Sequence, residues 1–119
     1  MFNFILLSFI VLLLDLIYFR VYGSYFKKVV NNVQKSKLVP RYSFYTLSYL
    51  ILILTIKYFV IYKNLNYYET FFLGLYIYCI YEFTNYTIFK NWELKMVVVD
   101  SLWGGILFLL TKYIYSLFF

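Results

Sequence analysis

The stretch Met96–Leu117 reads MVVVDSLWGGILFLLTKYIYSL, a run of apolar and aromatic side chains interrupted by one Asp and one Lys. As a helix rising about 1.5 Å per residue, it reaches roughly 33 Å. That is enough to cross about 30 Å of bilayer hydrocarbon. Asp100 sits inside this run, where a charge costs about 2.5–3.5 kcal/mol on insertion scales. A carboxylate retained at such a cost usually has a task.

Working outward, three more apolar runs of similar length precede this one. They cover about Phe2 to Phe19, Tyr42 to Tyr62 and Thr70 to Phe89, and the fourth span covers about 96–117. The first two linkers differ, since the one after Phe19 is long and basic, while the later ones are short. Short connections force neighbouring helices to run antiparallel. The fold class expected is therefore all-α: a polytopic, antiparallel bundle of four transmembrane helices forming one membrane domain, 1–119. The first run is not expected to be a cleaved signal peptide. It has no basic residue ahead of it, contains Asp15, and shows no small-residue cleavage site.

Composition points the same way. Hydrophobic residues make up 65% of the 119 and charged residues 13%, with a mean hydropathy of +0.78. The charged share is about half that of a soluble domain. The chain has no Ala and no His, and it is rich in Phe, Tyr, Ile, Leu, Asn and Lys. Apart from Leu, those residues have codons rich in A and T. An AT-rich genome is expected, such as that of a large DNA virus, a protist or an AT-rich bacterium. Codon bias and lipid-facing bulk then explain most of the 16 Tyr and 14 Phe. The single Cys79 rules out an internal disulfide and reads as a small apolar filler. With no His and one Cys, the usual zinc, haem and iron–sulfur ligand sets are missing, and no cofactor is expected.

The net charge of +6 does not point to nucleic acid, because the basic residues gather between spans. Arg20, Lys27, Lys28, Lys35, Lys37 and Arg41 lie in the first connection, and Lys90 and Lys95 in the third. Lys63 and Lys112 fall on the other face. By the positive-inside rule, the basic 20–41 connection is expected in the cytosol and both termini on the opposite side. Around Gly23 to Pro40, Tyr22, Tyr25, Phe26, Val29, Val30 and Val33 alternate with Lys27, Lys28 and Asn31. The pattern fits an interfacial helix between spans 1 and 2, or a solvated basic linker. Lys27, Lys28, Lys35 and Lys37 would meet anionic lipid headgroups there.

This orientation turns sequence position into depth. Asp15 precedes Arg20 by five residues and Asp100 follows Lys95 by five, placing each about 7–8 Å below the cytosolic helix ends. Glu82 precedes Lys90 by eight, or about 12 Å. Three acids on three helices thus fall in one thin layer. Lys57 lies near the opposite interface and is expected to snorkel there. Asn85 and Tyr78 share a helical stripe with Glu82, Trp103 and Gly104 with Asp100, and Tyr18 with Asp15. The candidate ligand or proton site is therefore Asp15, Glu82, Asn85, Asp100 and Trp103, with Tyr18, Tyr78, Tyr81 and Gly104 as neighbours. Crowded carboxylates in low dielectric cannot all ionise, so a proton is expected to be held among them. Asn85-Tyr86-Thr87 matches a glycosylation sequon but lies inside a span, out of the transferase's reach.

From Gly74 to Gly105 the chain reads GLYIYCIYEFTNYTIFKNWELKMVVVDSLWGG. This resembles an uncharacterised family of small membrane proteins, domain of unknown function 2177. Its last two spans carry a Y-D-L-T-N, L-K-G-W-P and D-x-x-W-G signature. Tyr81, Thr84, Asn85, Thr87, Lys90, Trp92, Asp100, Trp103 and Gly104 match it. Glu82 stands in place of Asp, Asn91 in place of Gly and Glu93 in place of Pro. The opening LLDLIYF resembles the family's L-D-x-x-W-L, with Tyr18 replacing Trp. The resemblance implies a short multi-spanning protein of bacteria or large DNA viruses, with a lean toward lipid or lipophile handling and no established activity.

Three functional readings stay open on the sequence. One is a binding or transport component for a small lipophile or cation, whose four helices a homo-oligomer would extend to eight or more. Another is an intramembrane lipid-modifying enzyme using the acids as acid and base. The last is a structural protein of a virion or organelle membrane, in which the acids only hold helices together.

Overall fold

The computed structural model describes residues 2–118, with side chains placed from residue 3, so Met1 and Phe119, the ends of the expected domain, lie outside the described residues. All regular structure among them is helical. Helix α1 spans Phe2–Gln34 and α2 spans Tyr42–Thr55, carried on without a break by a π-helical segment, Ile56–Tyr62. Helix α3 spans Tyr67–Ile88 and α4 spans Leu94–Ser116.

Local chemistry sets these limits. Lys35 leaves the helical region at φ 61°, and the Gln34 side-chain amide donates to the carbonyls of Ser36 and Lys37 at 3.1 and 3.0 Å. Pro40 then keeps the chain extended up to Arg41, whose ψ of 100° precedes α2. At the far end of α2, the Lys63 amide bonds back to the Tyr58 carbonyl, five residues away, closing the π-helical stretch. Asn66 caps α3 through a capping box. Its side chain accepts from the Glu69 amide at 2.8 Å, and Glu69 accepts from the Asn66 amide at 3.1 Å.

The residues expected to form an interfacial helix or a basic linker continue α1 through Arg20 and Gly23 to Gln34. Gly within a helix costs about 1 kcal/mol, and a second apolar core offsets it. Val29 is fully buried against Trp92, Met96 and Val97, with Tyr25, Phe26, Val30 and Val33 packed around them. Tyr25 donates to Glu93 Oε1 at 2.5 Å, and the Asn91 side chain donates to the Asn32 carbonyl at 3.3 Å. The apolar stripe expected on a headgroup layer thus rests on the start of α4. At 33 residues α1 is about 50 Å long, well beyond the hydrocarbon thickness.

Among the described residues, three helical stretches are long and apolar enough to cross a membrane: α1, α2 with its π-helical extension, and α4. Helix α3 has 22 residues, but Glu82, Asn85 and its tyrosines make it more polar. It is also the helix most closely packed on α4. A Cβ added to Gly74 would lie 2.2 Å from the Gly104 carbonyl oxygen, and one added to Gly105 would lie 2.7 Å from the Phe71 ring. Small residues therefore set how near the two backbones come. The main core gathers Leu7, Val11, Ile53, Ile56, Val60, Leu107, Phe108 and Tyr115 from α1, α2, its extension and α4. Helix α2 stands apart from α3 and turns Phe44, Leu47, Leu50, Ile51 and Leu54 outward.

Candidate functional site

Position along the helices brings polar groups to one level. Helices α1 and α4 run in opposite directions, so Asp15 meets Trp103 and Tyr18 meets Asp100. Trp103 Nε1 donates to Asp15 Oδ1 at 2.8 Å, and the Tyr18 hydroxyl donates to Asp100 Oδ1 at 2.9 Å. The Tyr18 and Trp103 rings stack with centroids 4.7 Å apart and planes 4° from parallel. From α2, the Tyr49 hydroxyl donates to Asp15 Oδ2. Both acids are buried, 7% and 9% exposed, and each is within electrostatic reach of the other.

These residues line a cavity of about 280 Å³. Asp15, Tyr18, Phe19 and Phe26 come from α1, Ser48, Tyr49 and Leu52 from α2, Ile77, Tyr78 and Tyr81 from α3, and Asp100 and Trp103 from α4. No Lys or Arg is in that lining. Hydroxyl and indole donors orient the two acids, and aromatic faces surround them.

Glu82 sits behind this cavity and does not line it. It is fully buried, accepts from Trp92 Nε1 at 2.9 Å through Oε1, and interacts with Asp100. Its other oxygen, Oε2, has no hydrogen-bond partner among the described residues. Asn85 is half-buried, bonds with Tyr81 and stands outside the cavity wall. Gly104 is buried under Tyr78, whose Cγ would lie 2.3 Å from a Cβ added there. Lys57 is remote, its Nζ 5.8 Å from the centroid of the Phe4 ring.

Of the residues picked from sequence, Asp15, Asp100, Trp103, Tyr18, Tyr78 and Tyr81 face one cavity, whereas Glu82, Asn85 and Gly104 do not line it. Sequence reasoning missed Tyr49 and Trp92. Tyr49 follows Arg41 by eight residues, about 12 Å in, so the depth count used for the acids would have found it. Trp92 carried no such signal, because its indole reaches back across the α3–α4 turn to Glu82. Among the described residues, no group of three or more His, Cys, Asp or Glu side chains is arranged to hold a metal ion.

No curated protein and no solved structure matches the chain. One family does: the model described as "Predicted membrane protein (DUF2177)" matches residues 1–115, and the chain therefore belongs to that family of membrane proteins.

Proposed function

We propose that this membrane protein binds a small lipophilic or cationic ligand in the cavity between its four helices, with Asp15 and Asp100 as its charged anchors. The observation that carries this reading is two buried carboxylates on different helices facing one aromatic cavity that contains no basic side chain. A buried acid with no cation beside it carries an uncompensated cost. A ligand that brings positive charge, or a shared proton, removes that cost. In this reading α3 is a fourth span, shielded by its packing on α4. The basic 20–41 segment faces the cytosol, where Lys27, Lys28, Lys35 and Lys37 meet anionic headgroups.

A structural role is favoured by one specific observation: the Tyr18–Asp100 and Trp103–Asp15 bonds tie α1 to α4. Such interhelical bonds contribute about 0.6 kcal/mol each in membranes. Native mass spectrometry of the purified protein separates the two readings. A retained small molecule, lost in an Asp15→Asn, Asp100→Asn variant of unchanged thermal stability, supports the binding site. A wild-type protein that carries nothing, with the variant fully active in its host, supports the structural role.

A further inference from the structure

The cavity's walls differ in how they close. Helix α4 packs on both α1 and α3, and α1 packs on α2, whereas α3 makes little contact with α1 or α2. Helices α2 and α3 nevertheless both contribute to the lining, Ser48 and Tyr49 from α2 and Tyr78 and Tyr81 from α3. Ser48 and Tyr81 at these edges are exposed, Tyr81 by 50%. The acids therefore lie behind a gap that faces sideways, between two helices whose outer surfaces are apolar. A bilayer would meet that gap with acyl chains.

Size and chemistry restrict what fits. About 280 Å³ falls at the low end of small-molecule sites, which run about 300–1,000 Å³. It holds the polar end of a lipid and not its chains. Carboxylates ringed by Tyr, Phe and Trp suit an organic ammonium, attracted by the acids and by the aromatic faces.

Building on the proposed binding role, we infer that the ligand is an amphiphile with an amine or quaternary ammonium head. The head occupies the Asp15–Asp100 cavity, and the alkyl chain leaves between α2 and α3 into the lipid.

A photoreactive alkyltrimethylammonium probe, with a diazirine halfway along its chain, tests this in dodecyl maltoside micelles, which contain no ammonium group. Saturable crosslinks are expected on residues 48–52 and 77–81. Excess unlabelled alkyltrimethylammonium should abolish them, and the alcohol of equal chain length should not. Labelling should fall about tenfold in the Asp15→Asn, Asp100→Asn variant, and clearly in Asp15→Asn alone should the double variant unfold. Saturable, charge-dependent labelling confined to other helices would overturn the α2–α3 exit while leaving the binding role intact. Equal competition by the alcohol would overturn the ammonium head. The absence of any saturable labelling would overturn both the inference and the role beneath it.

Discussion

At the scale of single residues, the most exposed energetic liability is Glu82. It is fully buried, with Oε1 held by Trp92 and Oε2 without a hydrogen-bond partner among the described residues. Replacing Trp92 by Phe removes the indole donor while keeping aromatic bulk. The loss of a hydrogen bond to a buried polar group costs about 1–3 kcal/mol, so thermal unfolding in detergent should shift down. Glu82→Gln should recover part of the loss in the Trp92→Phe background, because an amide cannot ionise in that buried site. If Trp92→Phe leaves the melting temperature unchanged, the Trp92–Glu82 bond contributes nothing to stability. The acids were legible in the sequence because a charge in an apolar run stands out and helical rise converts position into depth. Tyr49 and Trp92 were passed over, since a Tyr or Trp near a membrane interface is too common to single out by type, although Tyr49 lies at the acids' depth. Only the three-dimensional path of the chain turns their donors toward Asp15 and Glu82.

At the scale of helices, three of the four expected runs coincide with helices apolar enough to cross a membrane, and the Tyr42–Tyr62 run coincides with α2 and its π-helical extension. The continuation of α1 was not readable, because the residues that stabilise 20–34 lie some sixty positions later, at Trp92, Met96 and Val97. A Cβ added at Gly23 would meet only ordinary contacts, 3.7 Å from Phe19 Cβ. Gly23→Ala should therefore be neutral or stabilise by up to about 1 kcal/mol through helix propensity. Gly74→Ala should instead destabilise by about 1–3 kcal/mol or more, since its new methyl would collide with the Gly104 carbonyl. Equal melting temperatures for the two variants would contradict the close approach of α3 and α4. Hydrogen exchange provides an independent check on α1. Amides of Gly23–Val33 should be protected, and Met96→Ala should raise exchange there while leaving Leu7–Val11 unaffected. Fast exchange across 23–33 in the wild type would mean that this half of α1 is not docked on α4.

At the scale of the whole molecule, orientation and binding make separate demands. With the native Cys79 replaced by Ser, single cysteines at Lys28 or Lys37 should react with a membrane-impermeant maleimide only from the cytosolic side if the basic 20–41 segment is oriented as proposed. Labelling from the other side would reverse the orientation while leaving the cavity intact. The cavity itself joins residues from all four helices, so a bundle that only locks its helices together and one that holds a ligand there share the same hydrogen bonds. They differ in what neutralising the acids does. The most direct measurement is the equilibrium affinity of the purified protein for a radiolabelled alkyltrimethylammonium in dodecyl maltoside, compared with its Asp15→Asn, Asp100→Asn variant. The variant keeps side-chain shape and leaves Tyr49, Tyr18 and Trp103 with amide partners. If the acids anchor a cationic ligand, affinity should fall at least about tenfold, equivalent to about 1.4 kcal/mol, with the melting temperature preserved. Wild-type and variant proteins that bind the probe equally, or not at all, would contradict that role and leave Asp15 and Asp100 as ties between helices.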